Sequence, residues 1–388
     1  MTAAAVLDAP ARAAGRPRAA WDAWLLGSAG ALLALGTVMV HSASVAYGAH
    51  THGASAYFLI RHTAYVVLGL AVMALVMHSR VRWWERGGPL LLLLGIGLLV
   101  AVLLPGVGRH VNGSARWIRL GFVTLQPSEL TKLFMVVYVA GYLVRKQEAL
   151  RNFTQGIVMM SLVVAVIGML LLMEPDLGTV VVICLTVFAM LFLGGVRFWH
   201  FALVAVAGLG GMVLLTVISP YRMGRVTSFL DPWADPFGSG FQLTQALIAF
   251  GRGEWLGVGL GASVQKLFYL PAAHTDFLFA VIAEELGLVG VLGVIALFGV
   301  LIARAFAIAR QAERAGSLYG ARLAQGLGFL IGVQAMINMG VNMGLLPTKG
   351  LTLPLMSYGG SSMLASCAAV GLLARIERES RPRAWGDA

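Results

Sequence analysis

The sequence predicts an all-α integral membrane protein of ten transmembrane helices, with a long outward, periplasmic loop between the seventh and the eighth. Two observations carry this. Hydrophobic residues make up 59% of the chain and charged residues 12%, with a mean hydropathy of +0.84. A soluble domain carries about 25% charged residues, and so apolar a chain cannot hide its surface in a water-soluble fold. Ten apolar segments also approach or exceed the roughly 20 residues that a crossing needs. They run over about 22–45, 57–78, 87–104, 127–144, 156–173, 177–195, 199–218, 277–304, 320–343 and 353–375.

In chain order, residues 1–20 are rich in Ala, Arg and Pro and lack an apolar run. They read as a disordered cytoplasmic tail, not a signal peptide. Residues 21–376 form one membrane domain, and 377–388 a second cytoplasmic tail. An even number of spans puts both tails on one side. The side that holds the tails also collects 18 of the 28 Lys and Arg, among them Arg80, Arg82, Arg145, Arg197, Arg304 and Arg375. That side is cytoplasmic by the positive-inside rule. The rule accounts for most of the net charge of +11, so nucleic acid is not an expected partner. The connections at Glu174–Asp176 and Gly195–Trp199 are too short for soluble structure, whereas 105–126 and 219–276 are larger and face outward. Cys184 and Cys367 lie in apolar spans and read as small buried residues, with no disulfide framework and no metal site.

The outward connections carry the chemistry. Arg109, Arg116 and Arg119 lie in the first, Arg222, Arg225, Arg252 and Lys266 in the second, and Lys349 in the last outer connection. Basic residues there run against the topology bias, and together they suggest an anionic ligand such as a phosphate or pyrophosphate. Glu129 and Lys132 open the fourth span with a spacing that places them on one helix face. They read either as a structural ion pair or as the wall of a substrate cavity. In the second large connection FQLTQALIAF reads as a short amphipathic helix, and GVGLGA is too weak a glycine run for a nucleotide site. His274 reads as a hydrogen-bonding group behind the site, with general base and metal ligand as the alternatives. Thr275 is a candidate N-cap for the eighth span, which would put Asp276 in its first turn. Asp276 is then either a capping acid or a carboxylate held at the membrane surface for proton chemistry. Glu284 and Glu285 follow about two turns on, and at most one of them can share a face with Asp276.

Over 21–376 the chain resembles the SEDS family (shape, elongation, division and sporulation) of multi-pass peptidoglycan glycosyltransferases. The matching segments are ARWIRLGFVTLQPSELTKL, EPDLGT, YRMGRVTSFLDPWADP, GFQLTQALIAFGRGEWLGVGLG, LPAAHTDFLFAVIAEELG and NMGLLPTKGLTLPLMSYGGSS. The PTKGLTLP form is similar to the cell-division branch. The resemblance implies polymerisation of lipid II into β-1,4 glycan strands at the outer face of the bacterial inner membrane, at the septum, with Asp276 essential. For such a reaction Arg116, Lys132, Arg222, Arg225, Lys266 and Lys349 are candidates to stabilise the leaving pyrophosphate, and Glu129, His274 and Ser357 are further substrate-site candidates. The resemblance also implies a partner, a class B penicillin-binding transpeptidase, together with other division proteins. No cofactor is expected with certainty; a divalent cation, Mg or Mn, could share the charge of the leaving pyrophosphate. The family has Leu-Pro-Glu before the Ala-His-Thr-Asp run, and this chain has Ala272 in place of that Glu. A lipid II flippase and a non-catalytic division scaffold are the alternatives.

Overall fold

The structure is a computed structural model that describes residues 21–111, 114–121, 123–147, 153–348 and 350–381. Both expected tails, apart from 377–381, lie outside the described residues, as does Lys349. Twelve α-helices are described: α1 Ala23–His52, α2 Tyr57–His78, α3 Val81–Leu103, α4 Pro127–Arg145, α5 Met159–Met173, α6 Leu177–Leu193, α7 Phe198–Ile218, α8 Pro220–Leu230, α9 Phe241–Gly253, α10 Leu278–Arg314, α11 Leu318–Asn342 and α12 Gly360–Glu379. Each of the ten expected spans coincides with a helix. Seven helical segments are long and apolar enough to cross a membrane: α1, α2, α3, α5 with the end of the π-turn before it, α7, α10 and α11. α6 is apolar but has only 17 residues. α4 and α12 carry charges, Glu129 and Lys132 in the one and Arg375 and Glu377 in the other, and nearly all of each is buried in the bundle.

Helix packing follows residue size. Lipid tails are as apolar as Leu, so close backbone approach takes the place of the hydrophobic effect between helices. α12 buries Ala365, Ala368, Ala369 and Gly371 and packs chiefly on α2. There Cys367 is fully buried against Gly69, as a small core residue. Cys184 is only half-buried, and both thiols are free. α11 packs on α10 and α4, and these central helices form the core. Asp22 caps α1 by accepting from the Trp24 and Leu25 amides, both at 3.0 Å, and pairs with Arg304 of α10. α7 is the outlier, with no buried residue among the described residues of its apolar stretch and contacts chiefly to α6 and α8.

The two large connections are built, not open. The first holds a three-stranded antiparallel sheet in the order β1 Gly108–Val111, β2 Ser114–Leu120, β3 Val123–Leu125. Sequence reading makes this stretch a loop, because strands this short show too few alternations to register as a period. Gly121 turns β2 into β3 at φ 63°. The second holds α8 and α9, and α9 is the expected FQLTQALIAF helix.

α10 is broken at Gly287, where φ is 65° and ψ −163°. Residues 254–259 fill the break. Val258 and Gly259 donate to the Glu284 and Glu285 carbonyls, while Leu288 and Val289 donate to those of Glu254 and Trp255. A Cβ at Gly287 would collide with the Gly257 nitrogen. Below the break the buried Glu284 carboxylate accepts from Ser263 Oγ and the Val264 amide, and Glu285 pairs with Lys266 at 2.7 Å. Both glutamates therefore anchor the long connection, and neither shares a cavity with Asp276.

Candidate active site

A cavity of about 720 Å³ opens where four helices begin. Gln126 and Glu129 reach it from the start of α4, Asp176 to Thr179 from α6, Thr275 to Phe277 from just before α10, and Gly359, Ser361 and Ser362 from α12. Helix N-termini carry free N–H groups and partial positive charge, so their convergence favours an anion. Two guanidinium groups add to this. Arg116 of β2 lines the wall and donates from Nε to the Glu174 carbonyl at 2.8 Å and from its second nitrogen to that of Pro175. Arg225 of α8 lines it too and donates to the Thr348 carbonyl at 3.1 Å. Trp117 and Tyr358 supply aromatic faces, and Gln242 of α9 an amide.

Asp276 lies half-buried in this wall. It is not in the first turn of the helix, which starts at Leu278 with Phe277 in the cap position and no side-chain cap. Thr275 is not the N-cap either; its hydroxyl donates back to the Ala272 carbonyl at 3.2 Å. Turn formation wins over capping here, because the Ala272 carbonyl also collects the Thr275 and Phe277 amides. The capping reading of Asp276 is thereby overturned. No described residue donates a hydrogen bond to its carboxylate, which faces Gly350; a Cβ there would lie 3.1 Å from Oδ2. Burial pushes the carboxyl up to about 7, with Arg116 and Arg225 opposing and Asp176 and Glu129 adding to the shift. Glu174 lies behind the wall, fully buried and with no hydrogen-bond partner for either oxygen among the described residues, and burial pushes it up to about 8.

The other expected site residues divide. Glu129 lines the cavity but binds Lys132 at 2.8 Å. Lys132 is buried behind it and gives a second bond to Gln334 Oε1 at 2.7 Å, so it does not line the cavity. Lys266 is held by Glu285 and Ser42, also away from the cavity. Ser357 closes the turn before α12 by accepting from the Leu353 amide at 3.0 Å. His274 packs its ring among Tyr47, Phe58 and Tyr358. Burial pushes it down to about 4, so it is neutral at pH 7. Its carbonyl accepts from the Tyr358 amide at 3.0 Å and ties the two loops together. Arg222 lies on α8.

Asp176, which with Glu174 flanks Pro175 and reads from the sequence as an acidic outer turn, lines the cavity. Gln242, Ser361 and Ser362 also line it and are not singled out by sequence reading, because they look like ordinary helix-start polar residues. Asp176 spends its carboxylate on the Thr179 amide and hydroxyl, and Glu129 spends one oxygen on Lys132. Among the described residues no three His, Cys, Asp or Glu are grouped as a metal site.

A family model for FtsW/RodA/SpoVE cell cycle proteins matches residues 23–382. The chain is 59% identical over 360 residues to a "Probable peptidoglycan glycosyltransferase FtsW" of Nitrosococcus halophilus, covering 93% of each. It is 57% identical over 350 residues to the protein of the same name from Thioalkalivibrio sulfidiphilus, covering 90% of this chain and 88% of the other. Among solved structures it is similar to a chain described under "Structural coordination of polymerization and crosslinking by a peptidoglycan synthase complex", with a TM-score of 0.75, 33% identity and coverage of 93% and 98%. The Thermus thermophilus rod shape determining protein RodA gives a TM-score of 0.67 at 30% identity, covering 95% of this chain and 99% of that one.

Proposed function

The chain belongs to the FtsW/RodA/SpoVE family of cell cycle proteins, and from that membership we infer a peptidoglycan glycosyltransferase in which Asp276 accepts the proton. One observation carries the residue assignment. A carboxylate with no hydrogen-bond donor among the described residues faces a cavity that is otherwise built for an anion.

The substrate is lipid II, a disaccharide on an undecaprenyl pyrophosphate. Arg116, Arg225 and the N-termini of α4, α6 and α12 hold the pyrophosphate. Asp276 takes the proton of the acceptor sugar hydroxyl as its oxygen attacks the anomeric carbon of the growing strand. The bond from that carbon to the phosphate oxygen breaks, and the lipid pyrophosphate leaves with the electron pair. The carbon inverts and the new bond is β-1,4. The positive charge at the cavity is in place before reaction, which is where electrostatic stabilisation acts most strongly. Lys132 and Lys266 have no part in this step, since each is committed to a buried glutamate.

The finer topology belongs to the same reading. α4, α6 and α12 complete ten crossings, both termini are cytoplasmic, and the cavity opens at the periplasmic face, at the division septum. A periplasm-only reporter fused to the C-terminus should be silent; strong activity there would place Asp276 on the wrong side. The partner is a class B penicillin-binding transpeptidase that cross-links the strands, in line with the synthase complex whose chain this one resembles.

Purified protein incubated with labelled lipid II, with and without the transpeptidase, separates the readings. Glycan strands in the presence of the partner are expected. Lipid II movement across vesicles without strands would favour a flippase, and neither activity would favour a scaffold.

A further inference from the structure

The entry to α10 departs from helix geometry in one respect. In a regular α-helix the Ala280 amide would donate to the carbonyl four residues back, that of Asp276. It is shared instead between Asn342 Oδ1 and the Phe277 carbonyl three residues back, both at 3.1 Å. The Nδ2 of the same side chain donates to the Asp276 carbonyl at 3.0 Å. The Asn342 carboxamide thus sits between the two groups that would otherwise close a helical turn. Asn338, one turn earlier on α11, donates from its Nδ2 to the Asp276 carbonyl at 2.9 Å and also to the Leu351 carbonyl. Gln334, one turn earlier again, accepts from Lys132 and donates to the Thr352 carbonyl at 3.0 Å. Residues four apart share a helix face, so one stripe of α11 carries all three amides.

Asn338 and Asn342 are buried, at 2% and 0% exposure. Amides in the interior of a membrane helix are costly unless they serve a purpose. Asn338 Oδ1 has no partner among the described residues, a cost that an apolar packing residue would avoid.

Resting on the assignment of Asp276 as the base, we propose that Asn338 and Asn342 are positioning residues that hold Asp276 out of α10 and aim its carboxylate into the cavity. Two amides fix the Asp276 carbonyl from one side. Gly350, which leaves room against Oδ2, accommodates the carboxylate on the other. Without Asn342 the Ala280 amide keeps only its bond to the Phe277 carbonyl and can shift from that three-residue turn to the Asp276 carbonyl, extending α10 and drawing the carboxylate toward the helix axis.

The test uses full-length protein with its transpeptidase and compares Asn338→Ala, Asn342→Ala, the double variant and Asp276→Asn for lipid II polymerisation. A displacement near 1 Å can cost about 100-fold. We expect kcat to fall about 10-fold in each single variant and about 100-fold in the double, at similar KM. The groups facing Asp276 are Arg116 from β2, Asp176 before α6, Arg225 from α8 and Glu129 from α4. A carboxylate drawn into the first turn of α10 gains the helix dipole, so the acid limb of the pH profile should move to lower pH. A purely structural role would reduce folded protein and leave that limb in place. Folded Asn342→Ala with unchanged kcat and pH profile overturns the proposal. If Asn342→Ala does not fold, Asn342→Asp decides. It still accepts from Ala280 but has no N–H for the Asp276 carbonyl, so an unchanged kcat again overturns the idea. An active Asp276→Asn would instead strike the base assignment itself, which keeps the two failures apart.

Discussion

Asp276 takes its chemical character from being left out of a helix. Inside the first turn of α10 it would be stabilised as an anion and would titrate low. In the cavity wall, burial pushes its carboxyl up to about 7. Its base form therefore appears only as pH rises toward and past 7, and polymerisation should fall along an acid limb near pH 7. A limb near 4, the range of an ordinary carboxylate, would mean that another group takes the proton. The linked stability runs the other way. A folded acid with a raised pKa binds more protons than the unfolded chain, so its contribution to stability falls as pH rises from about 4 to 7. Sequence reading finds Asp276 and both cavity arginines, because outward basic residues run against the topology bias. Lys266 gives the same signal and Lys132 is drawn in by its spacing to Glu129, yet both lie away from the cavity. The Glu129 partner of Lys132 is visible at a spacing of three; the Glu285 partner of Lys266 is nineteen residues away and is fixed by the tertiary fold. The amides Asn338 and Asn342 offered a signal too, as polar residues four apart in an apolar helix.

At the scale of elements, the long connection is held to the bundle through the break in α10. Sequence reading treats this stretch as one continuous span, since a single Gly in an apolar run gives no sign of a positive φ. The break lets 254–259 pair with helix backbone, and that pairing carries the chain toward the turn at Ala272 and so to Asp276. Gly287→Ala meets both a left-handed φ and a collision with Gly257. Strain of this kind costs about 1–3 kcal/mol. Thermal unfolding in detergent should show a clearly lowered midpoint, with polymerisation reduced in the protein that remains folded. An unchanged midpoint would mean that the clamp at the break is not needed. Among the other elements, apolar runs place most helix ends to within a few residues, but α3 starts six residues before its expected span, and α1 and α10 run seven and ten residues past theirs. α12 starts at Gly360, seven residues after the expected span, because Leu353 to Gly359 form the turn that Ser357 closes.

Taken whole, the molecule sets an apolar bundle under a polar cap. The bundle is legible from composition alone, because so few charged residues leave no alternative to a membrane fold. The cap is less legible. Its sheet, its clamp on α10 and the meeting of four helix starts depend on contacts between segments as far apart as Gln126 and Ser361, whose amide–hydroxyl bond is 2.7 Å. The central claim is that this cap presents one carboxylate as a base, and it is tested most directly by Asp276→Asn. Asn keeps the shape of Asp but has no basic oxygen, and the absence of a buried charge should leave the variant at least as stable as the parent above pH 7. The measurement is glycan-strand formation from labelled lipid II by the purified complex, with thermal unfolding and lipid II binding as controls. The account predicts a folded variant that binds lipid II and makes no strands; a variant that polymerises at the parental rate would contradict it.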